Sequence, residues 1–240
     1  MLPHKLVVKK FIRDVYEEKL KPGDKLPPLR ELSKQLNTDQ TSLRIALKHL
    51  EFMKILEIKR SDGVYVLDYR KNAGPEFLME LFPESEEDNS HINSYLIDEA
   101  FEYWIVLVPE LIRLAWKRYS IRNIREMLNI YEEEAKNLNN ISVLVELEMR
   151  HINLLTEVTN NIMVTLTMNS ILPLRKKMTE FFIKAIGKDE FAKYISLRKK
   201  LARGYLTENH ADRETSIQTY RDAMDRYRKM MRDQIAKGLK

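Results

Sequence analysis

Two short segments that alternate between apolar and polar residues limit most narrowly what this chain can fold into. They cover residues 55–59 and 64–67, and Arg60-Ser61-Asp62-Gly63 separates them. Alternation of this length around a turn that contains Asp-Gly is typical of a β-hairpin. The segment is therefore predicted to form two antiparallel strands.

Three helix-type segments precede the predicted hairpin. Apolar residues recur at helical spacing in residues 5–19, 28–36 and 39–53. Pro22 and Gly23 interrupt the chain after the first of these segments. Pro28 suits the first turn of the second segment, where its missing N–H leaves no hydrogen bond unmade. Three helices followed by a β-hairpin are the arrangement of a winged helix-turn-helix.

The rest of the chain has a different pattern. Residues 71–90 contain Gly74, Pro75, Pro83 and the acidic run 84–88, and they are predicted to be a linker that includes at most a short helix. Beyond residue 90, strand signals are absent and helical patterns cover residues 92–118, 121–138, 141–159, 162–186, 188–207 and 211–236. The sequence predicts a mainly α protein, with a winged helix-turn-helix at residues 1–70 and an all-helical bundle at residues 91–240.

The positive charge of the chain is concentrated in its first part. Residues 1–70 hold 15 Lys and Arg against 10 Asp and Glu, whereas the remaining residues are balanced. An excess of this kind favours contact with a polyanion through the N-terminal part only. Double-stranded DNA is the expected partner of a winged helix-turn-helix with this charge.

Several classes of protein are disfavoured by composition and motifs. The chain has no cysteine, which excludes disulfides and thiolate chemistry. The sequence shows no apolar run of membrane-spanning length and no secretory signal at its start, so a cytoplasmic protein without a membrane partner is expected. No phosphate-binding glycine loop and no hydrolase or metalloprotease motif occurs, so the chain is not expected to be an enzyme.

A family resemblance rests on residues 20–66, LKPGDKLPPLRELSKQLNTDQTSLRIALKHLEFMKILEIKRSDGVYV. The motifs that carry it are PG-x-x-LP, REL-x-x-x-L, T-x-LR-x-AL-x-x-L and the glycine of the hairpin turn. The segment resembles the DNA-binding domain of the GntR family of bacterial transcription regulators. More weakly, residues 144–178 are similar to the FadR-like branch, and within it to the fatty-acid-responsive type.

The resemblance and the side-chain chemistry together indicate the residues that contact DNA. Recognition helices present their N-terminal end to base edges. Gln can pair with adenine, Arg can pair with guanine, and Thr and Ser suit bases or phosphates. The hairpin, or wing, is expected to reach phosphates or a minor groove. The candidate DNA-binding residues are Arg30, Asp39, Gln40, Thr41, Ser42, Arg44, Lys59, Arg60 and Gly63.

Two of these residues depart from the family pattern. Arg30 and Arg44 match it, whereas Asp39 and Gln40 stand where the fatty-acid regulators have threonine and arginine. An acidic side chain near phosphates is unfavourable unless it accepts a hydrogen bond from cytosine or caps the helix. The operator is therefore expected to differ from the best-known one of the family.

The resemblance also implies an effector site in the helical domain, with a long-chain acyl-CoA as the leading ligand. The candidate residues are Trp104, Leu107, Leu155, Met168, Tyr220, Asp222 and Tyr227. Tyr220 stands where the acyl-CoA-binding member has a small glycine, so its ring could close the pocket. A plain amphipathic closing helix is the alternative interpretation of residues 219–227.

A metal site is expected to be absent, with Glu148 and His151 as weak candidates. They are spaced so that both side chains share one face of a helix. Metal-binding members of the branch use an Asp, a His four residues later and two further His. Here Ile152 takes the place of the first of those histidines, and the chain offers no third ligand at convincing spacing. No cofactor is expected.

The resulting hypothesis is a homodimeric, sequence-specific DNA-binding transcription regulator controlled by a small-molecule effector. Two alternatives remain open. One is a regulator of the same family that responds to a metal or a small carboxylate. The other is a helical binding protein, or a metalloenzyme, whose DNA-binding domain has lost operator recognition.

Overall fold

The computed structural model describes residues 2–81, 94–204 and 210–236. The chain divides into two compact units, Met1–His91 and Ile92–Lys240. The first is a winged helix and the second is helical throughout its described part, so the predicted fold class is confirmed. None of the helices in these residues is long and apolar enough to cross a membrane.

The first unit has three helices, a hairpin and two short helices in chain order. The helices before the hairpin are α1 (Pro3–Tyr16), α2 (Leu29–Gln35) and α3 (Gln40–Phe52), the strands are β1 (Leu56–Lys59) and β2 (Gly63–Val66), and α4 (Tyr69–Asn72) and α5 (Pro75–Leu81) follow. The two strands pair antiparallel, with Leu56 opposite Val66 and Lys59 opposite Gly63.

One apolar core joins the elements of this unit. Helix α1 contributes five side chains at helical spacing, and α3 and the hairpin cover them from the other side; the buried residues are Val7, Val8, Phe11, Ile12, Val15, Leu26, Leu32, Leu43, Ala46, Leu47, Leu50, Met53, Ile55, Leu56, Val66 and Phe77. Burial of this surface orients α3 relative to the wing, because both pack on the same core.

The first unit extends beyond the predicted boundary at residue 70. Phe77 of α5 is buried in its core and stacks on Tyr69, with 4.5 Å between the ring centroids. The first part of the predicted linker is therefore folded against α1. The acidic run 84–88 lies outside the residues that the structure describes.

Six helices make up the described part of the second unit. They are α6 (Ser94–Ala115), α7 (Ile121–Lys136), α8 (Ile141–Val158), α9 (Ile162–Ser170), α10 (Leu172–Gly204) and α11 (His210–Ala236). Their apolar stripes meet in one core to which all six helices contribute. Residues 162–186 were expected to be one helix, but the chain breaks at Ile171. The predicted break near residue 187 is present, because Gly187 has a φ of 77° inside α10 and kinks the helix there.

Candidate nucleic-acid interface and interior cavity

Asp39 caps the N-terminus of α3. Its backbone is extended, and its carboxylate accepts a hydrogen bond from the Ser42 backbone N–H at 2.8 Å. This bond satisfies one of the N–H groups that the first turn of a helix leaves without a partner. The hydrogen bonds from Ser42 hold the pKa of Asp39 below its usual value, so the carboxylate is charged at neutral pH.

Three candidate DNA-binding side chains project from the first turns of α3. Gln40, Thr41 and Arg44 are exposed, whereas Ser42 is half-buried. Residues 40 and 44, and residues 41 and 44, are separated by about one helical turn, so these side chains share a surface. Leu43, between them, points into the core. The helix thus presents one polar side at the end where a recognition helix contacts bases.

Two exposed arginines of this unit have no carboxylate partner among the described residues. Arg30, in the first turn of α2, and Arg44 are both exposed, and neither forms an ion pair within the part of the chain that the structure describes. An exposed guanidinium without an internal partner is available to a phosphate or to a guanine edge.

The wing is held by a cluster around Asp62. Its carboxylate accepts hydrogen bonds from Lys25 Nζ at 2.9 Å and from the Tyr65 hydroxyl at 2.9 Å. The bonds from Lys25 and Tyr65 lower the pKa of Asp62. Lys25 also forms an isolated β-bridge with Tyr65, so the segment before α2 is attached to the hairpin.

Gly63 occupies a position of the wing that other residues fit poorly. Its φ is 148°, and a Cβ atom built on it would lie 2.7 Å from the Lys25 Cε atom. At the tip, Lys59 and Arg60 are exposed, and Lys59 lies 3.5 Å from the Glu57 carboxylate. Arg60 has no ion pair among the residues described.

The second unit contains a small, partly open cavity of about 30 Å³. Apolar side chains such as Val108, Trp116 and Leu155 form much of its wall. Polar side chains also line it, and these are Tyr119, Tyr131, His151, Arg198, Ser216 and Tyr220. A site needs at least about 10–15 Å³ to hold a water molecule, so this cavity has room for about two waters.

A buried ionic cluster borders the cavity. Arg198 is 2% exposed, and its two terminal nitrogens lie 2.6 Å from a Glu134 oxygen and 2.6 Å from a Glu148 oxygen. His151 extends the cluster, because its Nε2 atom is 2.7 Å from the Tyr131 hydroxyl. The guanidinium also lies over the Tyr194 ring, 4.1 Å from its centroid. Some polar atoms of the cluster, including Arg198 Nε and His151 Nδ1, have no hydrogen-bond partner.

The two carboxylates of this cluster ionise differently. Burial raises the pKa of Glu134 to about 8. Burial acts in the same direction on Glu148, but the charge of Arg198 and the contact with His151 outweigh it and hold the pKa of Glu148 below its usual value. Burial lowers the pKa of His151. Burial therefore favours the protonated form of Glu134 and the neutral imidazole of His151, whereas Arg198 favours the ionised form of Glu148.

The predicted effector residues are divided between several places. Leu155 and Tyr220 line the cavity. Burial raises the pKa of the Tyr220 phenol to about 12, so its ring remains neutral in the wall. Met168 is fully buried, and Trp104 and Leu107 are partly buried, but these three do not line the cavity.

Asp222 and Tyr227, predicted to lie at the polar mouth of an effector pocket, are not in the wall of this cavity. Asp222 is exposed, and its carboxylate accepts a hydrogen bond from Gln218 Nε2 at 2.6 Å. Tyr227 is buried against Phe182 and Tyr194, and its hydroxyl donates to the Glu190 carbonyl at 3.3 Å. Neither residue lines the cavity, since Asp222 faces solvent and Tyr227 packs elsewhere in the core.

Sequence reasoning missed Glu134 and Arg198, although it singled out Glu148 and His151. Each missed residue continues an apolar stripe of its helix, Glu134 after Met127 and Tyr131, and Arg198 after Tyr194. A charged residue in an apolar stripe indicates a buried charge with a partner, and this was the signal available in the sequence. Glu148 and His151 are engaged by Arg198 and Tyr131, and the described residues contain no group of three or more side chains placed to hold a metal ion.

Comparison with known proteins identifies the first unit. Residues 4–66 match the model for bacterial regulatory proteins of the gntR family. The Uxu operon transcriptional regulator of Escherichia coli is 41% identical over 59 residues, which are 24% of this chain and 23% of that protein. The HTH-type transcriptional regulator Mce2R of Mycobacterium tuberculosis is 33% identical over 91 residues, which are 38% of each chain. The chain thus aligns with less than two fifths of the length of these relatives.

A similarity in fold extends over both units. A solved structure described with the words "Lar controls the expression of the Listeria monocytogenes agr system" aligns with 96% of this chain and 97% of its own, at 13% identity and a TM-score of 0.52. This likeness concerns the fold alone. The family that matches residues 4–66 is described as regulatory, and both relatives are named as transcriptional regulators. Residues 4–66 of this chain are thus similar to bacterial regulatory proteins of the gntR family.

Proposed function

We propose that this protein is a sequence-specific transcription regulator that binds a double-stranded DNA operator through its first unit. The observation that carries the proposal is the surface of α3. A capped helix N-terminus presents Gln40, Thr41 and Arg44 to solvent, and Arg44 has no partner in the described residues. The family match and the charge excess of residues 1–70 support it.

The contacting residues have different roles in this proposal. Gln40 reads adenine and Arg44 reads guanine in the major groove, because their side chains can each make two hydrogen bonds to those bases. Arg30 and the wing residues Lys59 and Arg60 bind phosphates, which positions α3 without reading sequence. Asp39 acts through the helix cap and makes no base contact.

The proposed regulator acts as a homodimer. A single winged helix reads few base pairs, and twofold symmetry doubles the contacts on an operator with two half-sites. The expected operator is therefore an inverted repeat.

In vitro selection from a random duplex pool with the full-length protein tests this function. The expected result is enrichment of an inverted repeat that the protein then protects from nuclease cleavage. A pool that stays random after several rounds, although the protein is folded, would contradict operator recognition.

The helical unit is proposed to bind the effector. An acyl-CoA is the ligand that the family resemblance favours, and Leu155 and Tyr220 would contact it. A cavity of about 30 Å³ cannot hold an acyl chain, so the Tyr220 ring would have to move. A ligand acts as a switch only if it binds one arrangement of the protein better than another.

The Nε–H group of Arg198 favours a second candidate, a short carboxylate. It has no acceptor among the residues that the structure describes, and Arg198 lines the cavity. A carboxylate could accept hydrogen bonds from this buried guanidinium. Because Glu134 is protonated at neutral pH, only Glu148 would repel the ligand.

Titration calorimetry separates the two effectors. Binding that strengthens with acyl chain length, and strengthens further in Tyr220→Ala but not in the ring-retaining control Tyr220→Phe, would support acyl-CoA. Saturable binding of a short carboxylate, with no heat from any acyl-CoA, would support the second candidate. Absence of heat from both series would contradict both assignments.

A further inference from the structure

Ile45 is an aliphatic side chain on the exposed side of α3. It is 49% exposed, and it does not pack against the core of the first unit. The helix turns its other aliphatic side chains inward, and these are Leu43, Ala46, Leu47 and Leu50. Ile45 is thus separate from the set of residues that holds α3 in place.

The neighbours of Ile45 belong to the proposed DNA surface. Thr41 precedes it by one helical turn and Lys48 follows it by about one turn, and both are exposed. Arg44 is exposed beside it in sequence. Ile45 is therefore the apolar member of an otherwise polar surface.

Helix stability gives no reason for isoleucine at this position. A β-branched side chain is less favourable in a helix than Lys, Arg or Glu. Exposure of its methyl groups to water is unfavourable, and burying them against an apolar partner would lower the free energy. Isolated exposed apolar residues are common on proteins, but this one is continuous with the surface proposed to meet DNA.

The major groove offers one apolar group, the 5-methyl of thymine. Recognition helices bring the residues of their first turns to base edges, and Ile45 is the sixth residue of α3. We propose that Ile45 contacts a thymine methyl group in the operator half-site and so selects an A·T pair there. This inference rests on the proposed function, because it requires that α3 enters the major groove.

The contact is distinct from the one assigned to Arg44. Consecutive residues of an α-helix point about 100° apart, so Arg44 and Ile45 reach different bases. The half-site is expected to combine a guanine, read through hydrogen bonds, with a thymine, read through its methyl group.

Replacing thymine by uracil tests the contact, because it removes only the methyl group. The duplex selected by the full-length protein is synthesised with each thymine exchanged in turn, and affinities are measured by fluorescence anisotropy. At one position per half-site, the exchange to uracil should weaken wild-type binding by about fourfold. This is the loss in affinity that corresponds to one buried methylene group. In Ile45→Ala, thymine and uracil should bind equally at that position.

Phe52→Ala is the matched control. Phe52 is 82% exposed on the same side of α3, but it lies seven residues further on, about 10 Å along the helix. This variant should keep the difference between thymine and uracil. Because Ile45 is outside the core, Ile45→Ala should also retain the wild-type urea midpoint.

The outcomes distinguish the inference from the function on which it rests. If the selected duplex binds and Arg44→Ala weakens it, but no uracil exchange matters or its effect persists in Ile45→Ala, the thymine contact is wrong and operator binding stands. If no duplex is selected at all, both are wrong.

Discussion

The Asp39 carboxylate accepts a hydrogen bond from the Ser42 backbone N–H at 2.8 Å, and this bond closes the N-terminus of α3. It accounts for an acidic residue on a surface that is proposed to meet phosphates. The helix uses a side-chain oxygen of Asp39 as its cap, and the negative charge is tolerated because the N-terminal end of a helix favours an anion.

Two substitutions at Asp39 should separate the cap from the charge. Asp39→Ala removes the acceptor, so the Ser42 amide should exchange its hydrogen faster, as measured by nuclear magnetic resonance. Asp39→Asn keeps an acceptor and removes the negative charge, so it should retain the slow exchange and bind DNA more tightly without a change of preferred sequence. A change in preference at one C·G pair would instead indicate that Asp39 contacts a base.

Arg30 and Arg60 should contribute to the salt dependence of binding. Both are exposed without an ion pair among the described residues. If each neutralises one phosphate, then Arg30→Ala and Arg60→Ala should each reduce the slope of log affinity against log salt by about 0.9. The measurement is a salt titration on the selected duplex and on a scrambled duplex. Each substitution should reduce the slope by the same amount on both duplexes. An unchanged slope would show that these residues do not contact phosphates.

Gly63→Ala should destabilise the wing. The φ of 148° is unfavourable for alanine, and the new methyl carbon would lie 2.7 Å from Lys25 Cε. A cost of at least about 1 kcal/mol is expected, since the native backbone does not suit the new residue. The measurement is hydrogen exchange of the Val66 amide, which donates to the Asp24 carbonyl and should exchange faster when the wing is destabilised.

The double variant Lys25→Ala, Gly63→Ala is the control for the contact. Lys25 also bonds to Asp62, so the double variant is compared with Lys25→Ala alone. Without the Lys25 side chain, adding Gly63→Ala should cost less protection than it costs in the wild type. An equal loss in both backgrounds would show that backbone strain alone explains the effect.

The stability of the helical unit should fall as pH rises from 7 to 8. Folded Glu134 has a pKa of about 8, whereas an unfolded glutamate has a pKa of about 4.3. Between these values the folded state holds a proton that the unfolded state has released, so the free energy of unfolding decreases with pH, by on the order of 1 kcal/mol per pH unit. His151 has a lowered pKa in the folded state, so it makes the free energy of unfolding rise with pH. Most of that rise occurs below pH 7, near the pKa of an unfolded histidine.

Tryptophan fluorescence isolates this unit, because the two tryptophans of the chain, Trp104 and Trp116, both belong to it. In urea unfolding of the wild type, the free energy of unfolding should decrease as pH rises from 7 to 8. In Glu134→Gln this decrease should be smaller. Glu132→Gln, at an exposed position of the same helix, should leave it unchanged. An equal decline in all three proteins would exclude Glu134 as the titrating group.

The sequence was sufficient to predict the first unit because local signals agree there. Pro22, Gly23 and Pro28 separate the helices, and the alternation around Gly63 defines the hairpin. The end of α1 was placed three residues too late, since the chain turns at Glu18, whose φ is 58°. The packing of Phe77 could not be predicted, because it depends on a contact with a distant helix.

The second unit shows where local signals were insufficient. The break at Ile171 lies in an apolar stretch, and the buried Arg175 side chain donates to the Met168 carbonyl at the end of α9. Pro173, which suits the first turn of α10, was the signal available for it. The pairing of Arg198 with Glu134 spans 64 residues, so no local pattern could reveal that they meet.

The affinity of Arg44→Ala for the selected operator tests the central claim most directly. Arg125→Ala is the control, because it removes the same charge from an exposed helix position of the second unit. A base-reading arginine is worth about 1–3 kcal/mol, so Arg44→Ala should weaken operator binding by about five- to 150-fold, while Arg125→Ala stays close to the wild type. If both variants bind the operator as the wild type does, or weaken it equally, α3 does not read the DNA and the account is wrong.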